Sequence, residues 1–232
     1  MNLRISKNKL KRNNVKLQEK KKLNLDSGIF RYINNKLYTL SSKDFLVELE
    51  NNKKIEYSKC YHKNYQKQVA SWPKHPVDEI CAFLKTQSKP LTVFDLGCGT
   101  CDMYKNLKNI HKVISIDFGD FEDLLIDVPI HKSVEDVITE GGFIRRNITD
   151  LSEFEEESAD VVIFSLSLMC KDWPDYISSA HRLLKKDGYL IIAEPVSRLE
   201  KKANFTKAIT VNGYKLINET QQNAFFKVEI LA

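Results

Sequence analysis

Apolar positions follow two regimes along the chain. Between residues 43 and 87 they recur at helical spacing. Residues 43–50 read as a short helix, and 54–71 as a longer one in which Tyr61, Tyr65, Gln68 or Val69, and Trp72 form an i, i+4, i+7, i+11 stripe. Pro73 ends that pattern. Pro76, followed by Asp78 and Glu79, opens a third helix over 76–87, because proline suits the first helical position and acids favour the first turn. From residue 91 the period changes. Short apolar runs at 91–95, 113–116, 143–146, 160–165 and 188–193 alternate with helical patterns near 101–109, 174–186 and 200–211. That alternation predicts a parallel sheet with helices on both faces. Two last runs, 213–219 and 223–230, have too little chain between them for a crossover helix, so they are expected to form an antiparallel hairpin at the sheet edge. The expected fold class is therefore α/β, Rossmann-like, with a mostly parallel seven-stranded sheet, a C-terminal antiparallel hairpin and an N-terminal helical lid.

Composition adds a boundary. Residues 1–25 hold nine Lys or Arg against one acid, Glu19, so this stretch carries +8 of a total net charge of +5 and the remainder carries −3. A tract so basic and so poor in apolar residues is expected to be disordered alone, and suits either contact with phosphates or a nuclear address. The expected organisation is a basic tail (1–25), a helical segment (26–90) and a ligand-binding domain (91–232). At 232 residues and 42% hydrophobic, the chain can bury a real core. No apolar run reaches eighteen residues and no apolar stretch follows the N-terminus, so a soluble, intracellular protein without membrane contact is expected.

The five cysteines are expected to be free thiols. Cys98 and Cys101 form a C-x-x-C, but Cys60, Cys81 and Cys170 supply no second pair, so no metal site is expected. Both thiols sit in a turn with its own explanation. The stretch VFDLGCGT (93–100) ends the first apolar run of the domain with Gly97 and Gly99, where bare backbone can approach a ligand closely at the start of a helix. A dinucleotide fingerprint needs a third glycine, and position 102 is Asp. Asp117 closes the next run, eighteen residues past Gly99, where an acid reaches ribose hydroxyls. That acid fits NAD or S-adenosylmethionine. Asp95 ahead of the glycines, together with the terminal hairpin, favours S-adenosylmethionine and a class I methyltransferase. Covalent catalysis has no support, since Ser165, Ser167 and Cys170 lack an elbow-type G-x-S-x-G. The acidic run Glu153–Glu157 reads as a solvated loop.

The blocks FRYINNKLY, YHKNYQKQVASWPKHPVD, FDLGCG, SLSLM and RLLKKDGYLIIAE resemble the nucleomethylin-like ribosomal RNA-processing methyltransferases from about residue 28 onward. The resemblance implies a nuclear, nucleolar enzyme that transfers a methyl group from S-adenosylmethionine to N1 of an adenine in large-subunit ribosomal RNA during ribosome biogenesis, leaving S-adenosylhomocysteine. It implies ribosomal RNA or the pre-ribosome as partner. It also implies that His62, Gly97, Asp117, the Asn147-Ile148 pair and Ser165 line the cofactor pocket, beside Asp95 and Gly99. Family members often carry an acid where Asn147 stands, and the long connection from Phe118 to Gly142 leaves the register there open by about a residue, with Asp150 as the other choice. Tyr61, Trp72, Ser165 and Ser167 are candidates for the acceptor pocket, which must receive an unpaired or extruded base. The alternative is a non-catalytic module that binds S-adenosylmethionine or S-adenosylhomocysteine within a ribosome-assembly or chromatin-silencing complex, with chromatin-associated proteins as its partners. A methyltransferase acting on a small molecule or a protein is a third option.

Overall fold

The computed structural model describes residues 27–51, 57–70, 72–196, 203–221 and 226–231; the basic tail lies outside the described residues. Four helices precede the sheet: α1 (27–39), α2 (Ser42–Asn51), α3 (Tyr57–Val69) and α4 (Pro76–Lys85). In α4, Val77, Ile80, Cys81 and Leu84 are buried at i, i+3, i+4 and i+7, one apolar stripe against the core. Pro76 stands in its first turn and the His75 side chain caps it from the preceding position.

The sheet contains β1 (Thr92–Leu96), β2 (Lys112–Asp117), β3 (Ile130–His131), β4 (Gly142–Arg145), β5 (Ala159–Ser165), β6 (Leu184–Pro195), β7 (Leu216–Gln221) and β8 (Phe226–Leu231). Their order is β3-β4-β2-β1-β5-β6-β8-β7. β1 lies at the centre, parallel to β2 and β5, while β8 pairs antiparallel with both β6 and β7. Helices α5 (Asp102–Leu107), α6 (Val134–Glu140), α7 (Trp173–Leu183) and α8 (Ala203–Val211) complete the chain. Alternate residues of the central strands enter two cores, one on each face: Phe94, Leu96, Ile114 and Ile116 in the first, Val93 and Val113 in the second. Strands covered on both faces read as unbroken apolar runs, which is why the sequence pattern located them.

The expected hairpin, parallel core and helical N-terminal segment are present, with differences of detail. The sheet gains an eighth strand, because β3 has only two residues and leaves no periodic signal. The long connection 118–142 holds a short 3-10 turn (Glu122–Leu124), β3 and α6, elements for which the sequence pattern gave no expectation. Ser133 caps α6 by accepting from Asp136 N at 3.1 Å. The pattern assigned to a helix over 174–186 turns to strand at Leu184, where the chain pairs with Ala159. Lys185 then reaches the Asp160 carboxylate at 2.6 Å.

Candidate functional site

Beyond the carboxyl ends of β1, β2 and β5 the chain encloses about 1060 Å³, including its open mouth, between the sheet and helices α1 to α3. This is the crevice where open α/β sheets bind ligands.

The floor is the glycine turn. Gly97 and Gly99 adopt φ of +76° and +52°, and the N–H groups of Gly97 and Cys98 donate to Ile116 O at 2.8 and 3.2 Å. A Cβ on Gly97 would stand 2.4 Å from Ser167 Cβ, so the turn is packed against the loop that follows β5. Asp117, at the end of β2, is 7% exposed; its Oδ2 accepts from Gly99 N at 3.1 Å and its Oδ1 from Gly119 N at 3.0 Å. A carboxylate has about four acceptor positions, so about two are left unused on this cavity-lining residue.

Loop 165–172 forms one wall and is held from several directions. Ser167 Oγ donates to Leu96 O at 2.6 Å, Leu168 N donates to Glu194 Oε1 at 3.0 Å, and Tyr61 Oη donates to Met169 Sδ at 3.6 Å. Leu166 sits at φ +60°, a conformation that leucine adopts at a cost of order 1 kcal/mol and that the surrounding contacts hold in place. The Asp172 carboxylate accepts from Ser42 N at 2.9 and 3.0 Å and from Ser42 Oγ, tying the start of α2 to this loop. The Ser165 Oγ atom is buried on the cavity wall with no hydrogen-bond partner among the described residues. Buried hydroxyls are normally paired, so this one is poised for a ligand atom.

Of the residues singled out from sequence, Tyr61, His62, Asp95, Gly97, Gly99, Asp117, Ile148, Ser165 and Ser167 all line the cavity. Two do not. Asn147 turns its Oδ1 to Thr149 N at 3.1 Å, a local turn bond, while its neighbour Ile148 enters the cavity at 4% exposure. Asp150, the other choice in that register, accepts from Ser152 Oγ at 2.8 Å and is exposed. Trp72 stands one ring back: it stacks on His75 at 5.8 Å and meets Tyr65 edge-on at 6.0 Å, and those two rings line the cavity. Sequence reasoning passed over Tyr65 as a site residue although it shares the stripe with Tyr61. Phe118, Met169 and His75 were missed as well. Phe118 and Met169 adjoin residues already singled out; His75 carried only its capping position as a signal.

Burial governs the electrostatics. It pushes the Asp95 carboxyl up to about 7, with Asp117 and Asp102 adding in the same direction, so much of it is protonated near neutrality. Burial lowers His62 despite the Asp117 charge, leaving a neutral imidazole packed 4.0 Å from the Phe121 ring. Burial, followed by nearby Tyr65, raises the Tyr61 phenol, so it remains a donor. The Cys98 and Cys101 sulfurs lie 3.6 Å apart, and burial pushes the Cys98 thiol up. Among the described residues no three His, Cys, Asp or Glu side chains gather around a metal position, and no helix is long and apolar enough to cross a membrane.

The Asp95 value carries a prediction. An unfolded Asp ionises near 3.9, whereas the folded one does so near 7, so stability is full below about pH 4, falls across that window and levels off above it. Asp95→Asn removes the ionisation. Its advantage over the parent chain is expected to grow from pH 4 to 8, reaching on the order of 3 kcal/mol. Thermal melts at both pH values check this, and a gap that does not change with pH would refute it.

Known proteins can now be set beside this geometry. A protein named ribosomal RNA-processing protein 8 is 34% identical over 208 residues in Caenorhabditis elegans, covering 88% of this chain and 54% of that one. Its namesake in Arabidopsis thaliana is also 34% identical, covering 87% of this chain and 64% of that one. The 25S rRNA (adenine(645)-N(1))-methyltransferase of Schizosaccharomyces pombe is 29% identical, covering 90% and 63%. The chain thus spans between 39 and 64% of the length of the curated relatives it matches. Among solved structures, the TehB-like SAM-dependent methyltransferase of Corynebacterium glutamicum superposes with a TM-score of 0.56 at 16% identity, covering 76% of this chain and 97% of that one. The 1,6-didemethyltoxoflavin-N1-methyltransferase of Burkholderia thailandensis, crystallised with bound 1,6-didemethyltoxoflavin and S-adenosylhomocysteine, gives 0.53 at 12% identity, covering 78% and 88%. At those identities the likeness is one of fold. The family model described as "Hypothetical methyltransferase" matches residues 16–231, nearly the whole chain, and the protein belongs to that family.

Proposed function

We propose that this chain binds S-adenosylmethionine and methylates N1 of an unpaired adenine in large-subunit ribosomal RNA, acting on pre-ribosomal particles in the nucleolus. The observation that carries the reading is one cavity with two unlike sets of lining residues. One set is the bare turn of Gly97 and Gly99, the half-used Asp117 carboxylate and the unpartnered Ser165 hydroxyl; the other is Tyr61, Tyr65 and Met169. The first set suits an adenosyl group and the second a flat base. The relatives named for ribosomal RNA processing, and the one named for adenine N1, support the acceptor.

The residues present fit the cofactor. Asp117 would hold the ribose hydroxyls on its remaining acceptor positions, Ile148 and Phe118 would pack on the adenine, and Ser165 would gain the partner it lacks. The chemistry supplied by the bound cofactor is an electrophilic methyl group on a sulfonium, open to displacement in line by a lone pair. N1 of neutral adenine carries such a pair and no proton, so no general base is required. The chain's task is placement, which contributes up to about 7–11 kcal/mol when reacting atoms are held near attack distance. Loop 165–172, braced by Glu194, Leu96 and Ser42, is the element that fixes the acceptor side. Stacking on Tyr61 and Tyr65 would hold an extruded base. Residues 57–77 contain four lysines and no acid, in a chain whose part beyond the tail is net −3, which suits approach by a polyanion.

The test is incubation with tritiated S-adenosylmethionine and unmodified ribosomal RNA, followed by nucleoside analysis. Label in N1-methyladenosine is expected. Tight cofactor binding with no labelled nucleoside would replace the enzyme with the sensor module, and label in another nucleoside would move the acceptor atom.

A further inference from the structure

His75 has a role to fill that capping α4 does not exhaust. Its Nδ1 accepts from Val77 N at 3.0 Å. A nitrogen that accepts carries no hydrogen, so in the neutral ring the proton sits on Nε2. Nε2 is buried and has no hydrogen-bond partner among the described residues, although the side chain lines the cavity. The ring is neutral because burial lowers its pKa, against the pull of Asp102 and Asp78. Trp72 stacks on one ring face at 21° and 5.8 Å and so holds its plane. A fixed, buried N–H donor without an acceptor is uncommon in folded proteins and marks a position where a ligand atom belongs.

The surroundings say which atom. Asp102, the carboxylate whose charge acts most on His75, is engaged by Thr100 Oγ and Lys105 Nζ, each at 3.4 Å. Asp95, Gly97, Thr100 and Asp102 share the cavity with His75, and with Asp117 assigned to the ribose, Asp95 and Asp102 are the remaining acids that line it. Two carboxyl groups and a neutral donor beside bare backbone match the two charges of an α-amino acid: the acids face its ammonium, and a donor is left for its carboxylate.

We propose that His75 is a cofactor-binding residue, donating from Nε2–H to the α-carboxylate at the methionine end of S-adenosylmethionine, with Asp95 and Asp102 facing the ammonium beside it. This rests on the proposed cofactor binding and adds the residue that reads the amino-acid end. It gives the acid-containing stretch SWPKHPVD a function at the site that its helical pattern does not express.

The experiment separates capping from donation. Asparagine caps a helix as well as any residue but places no N–H where Nε2 stands, and serine, another good cap, is the second variant. Calorimetry of His75→Asn with S-adenosylhomocysteine is expected to show affinity about 10- to 100-fold weaker, the loss typical of one hydrogen bond to a charged group. Affinity for 5′-methylthioadenosine, which lacks the amino-acid end, is expected to hold within about twofold, and the melting temperature within about 2 °C. Equal weakening of both ligands, or of neither, overturns the assignment. If the parent chain itself fails to bind S-adenosylhomocysteine, the cofactor reading fails first and His75 falls with it; if the parent binds and both variants match it, His75 alone is wrong. Should His75→Asn melt far below the parent, His75→Ser is read in its place against the same ratio of the two ligands.

Discussion

Asp117→Ala is expected to remove measurable affinity for S-adenosylmethionine, a loss of about 10²- to 10⁴-fold. The size follows from what the carboxylate does at both of its oxygens. In the free protein it accepts from Gly99 N and Gly119 N and thereby sets the glycine turn against the end of β2. With cofactor it would also accept from ribose hydroxyls. Hydrogen bonds to a charged group each contribute about 1.5–3 kcal/mol, and two of them account for the range given. The alanine variant should also leave two buried N–H groups without acceptors, so its melting temperature is expected to fall. Asp117→Asn separates the effects in part: its one oxygen accepts from one of the two backbone N–H groups, so the melting temperature is expected to fall less than in the alanine variant, while binding stays weak because the amide nitrogen cannot accept from a hydroxyl. Calorimetry with S-adenosylhomocysteine and thermal melts on the three proteins decide the matter. An alanine variant that binds within about threefold of the parent would remove Asp117 from the site and take the cofactor reading with it.

Asp117 was legible in the sequence because strand-end position and spacing from a glycine turn are local properties. The same holds for Gly97, Gly99 and Asp95. What could not be read were features made by contacts distant in sequence. Asp172 bonds Ser42 across 130 positions, and nothing in either segment alone announces the bond. β3 and α6 are too short to carry a period, so the sequence pattern assigned no element within 118–142. Asn147 is the instructive case. Its neighbour Ile148 was placed in the pocket by resemblance and lines it, yet the Asn147 side chain satisfies Thr149 N instead. Asparagine competes readily for nearby backbone donors, so type and position do not determine which way the side chain turns. His75 shows the converse: one ring nitrogen caps α4, while the other has an environment that only the tertiary structure defines.

The brace between lid and loop links the two sets of lining residues. Lys171 N donates to Leu40 O at 3.0 Å, next to the Asp172 bonds to Ser42, and Tyr61 reaches Met169 from α3. Helices α1 to α3 are therefore tied to the loop that carries Ser165 and Ser167, and that loop is tied in turn to the glycine turn through Ser167 and Leu96. These bonds form a continuous chain of contacts from the lid through the loop to the glycine turn.

Gly97→Ala tests that chain at its tightest link. Two costs add. At φ +76° an alanine pays the left-handed penalty of about 1–2 kcal/mol, and its Cβ would lie 2.4 Å from Ser167 Cβ, which forces apart two pieces of backbone held together by the Ser167–Leu96 bond. Overpacking of this kind costs about 1–3 kcal/mol, so a total of about 2–5 kcal/mol is expected in denaturant unfolding, with cofactor affinity falling in parallel because the displaced loop carries Ser165. Gly99→Ala is the internal control. Its φ of +52° imposes a similar backbone penalty, but its Cβ would meet only the His62 ring at 3.6–3.7 Å, an ordinary contact. It should therefore cost about 1–2 kcal/mol. Ser167→Gly removes the obstructing Cβ, so in that background Gly97→Ala should be milder by about 1–2 kcal/mol while Gly99→Ala is unchanged, a coupling that a double-mutant cycle reads directly. If Gly97→Ala and Gly99→Ala prove equally costly, and Ser167→Gly relieves neither, the loop after β5 does not bear on the turn, and the acceptor and cofactor sets of residues are independent structures.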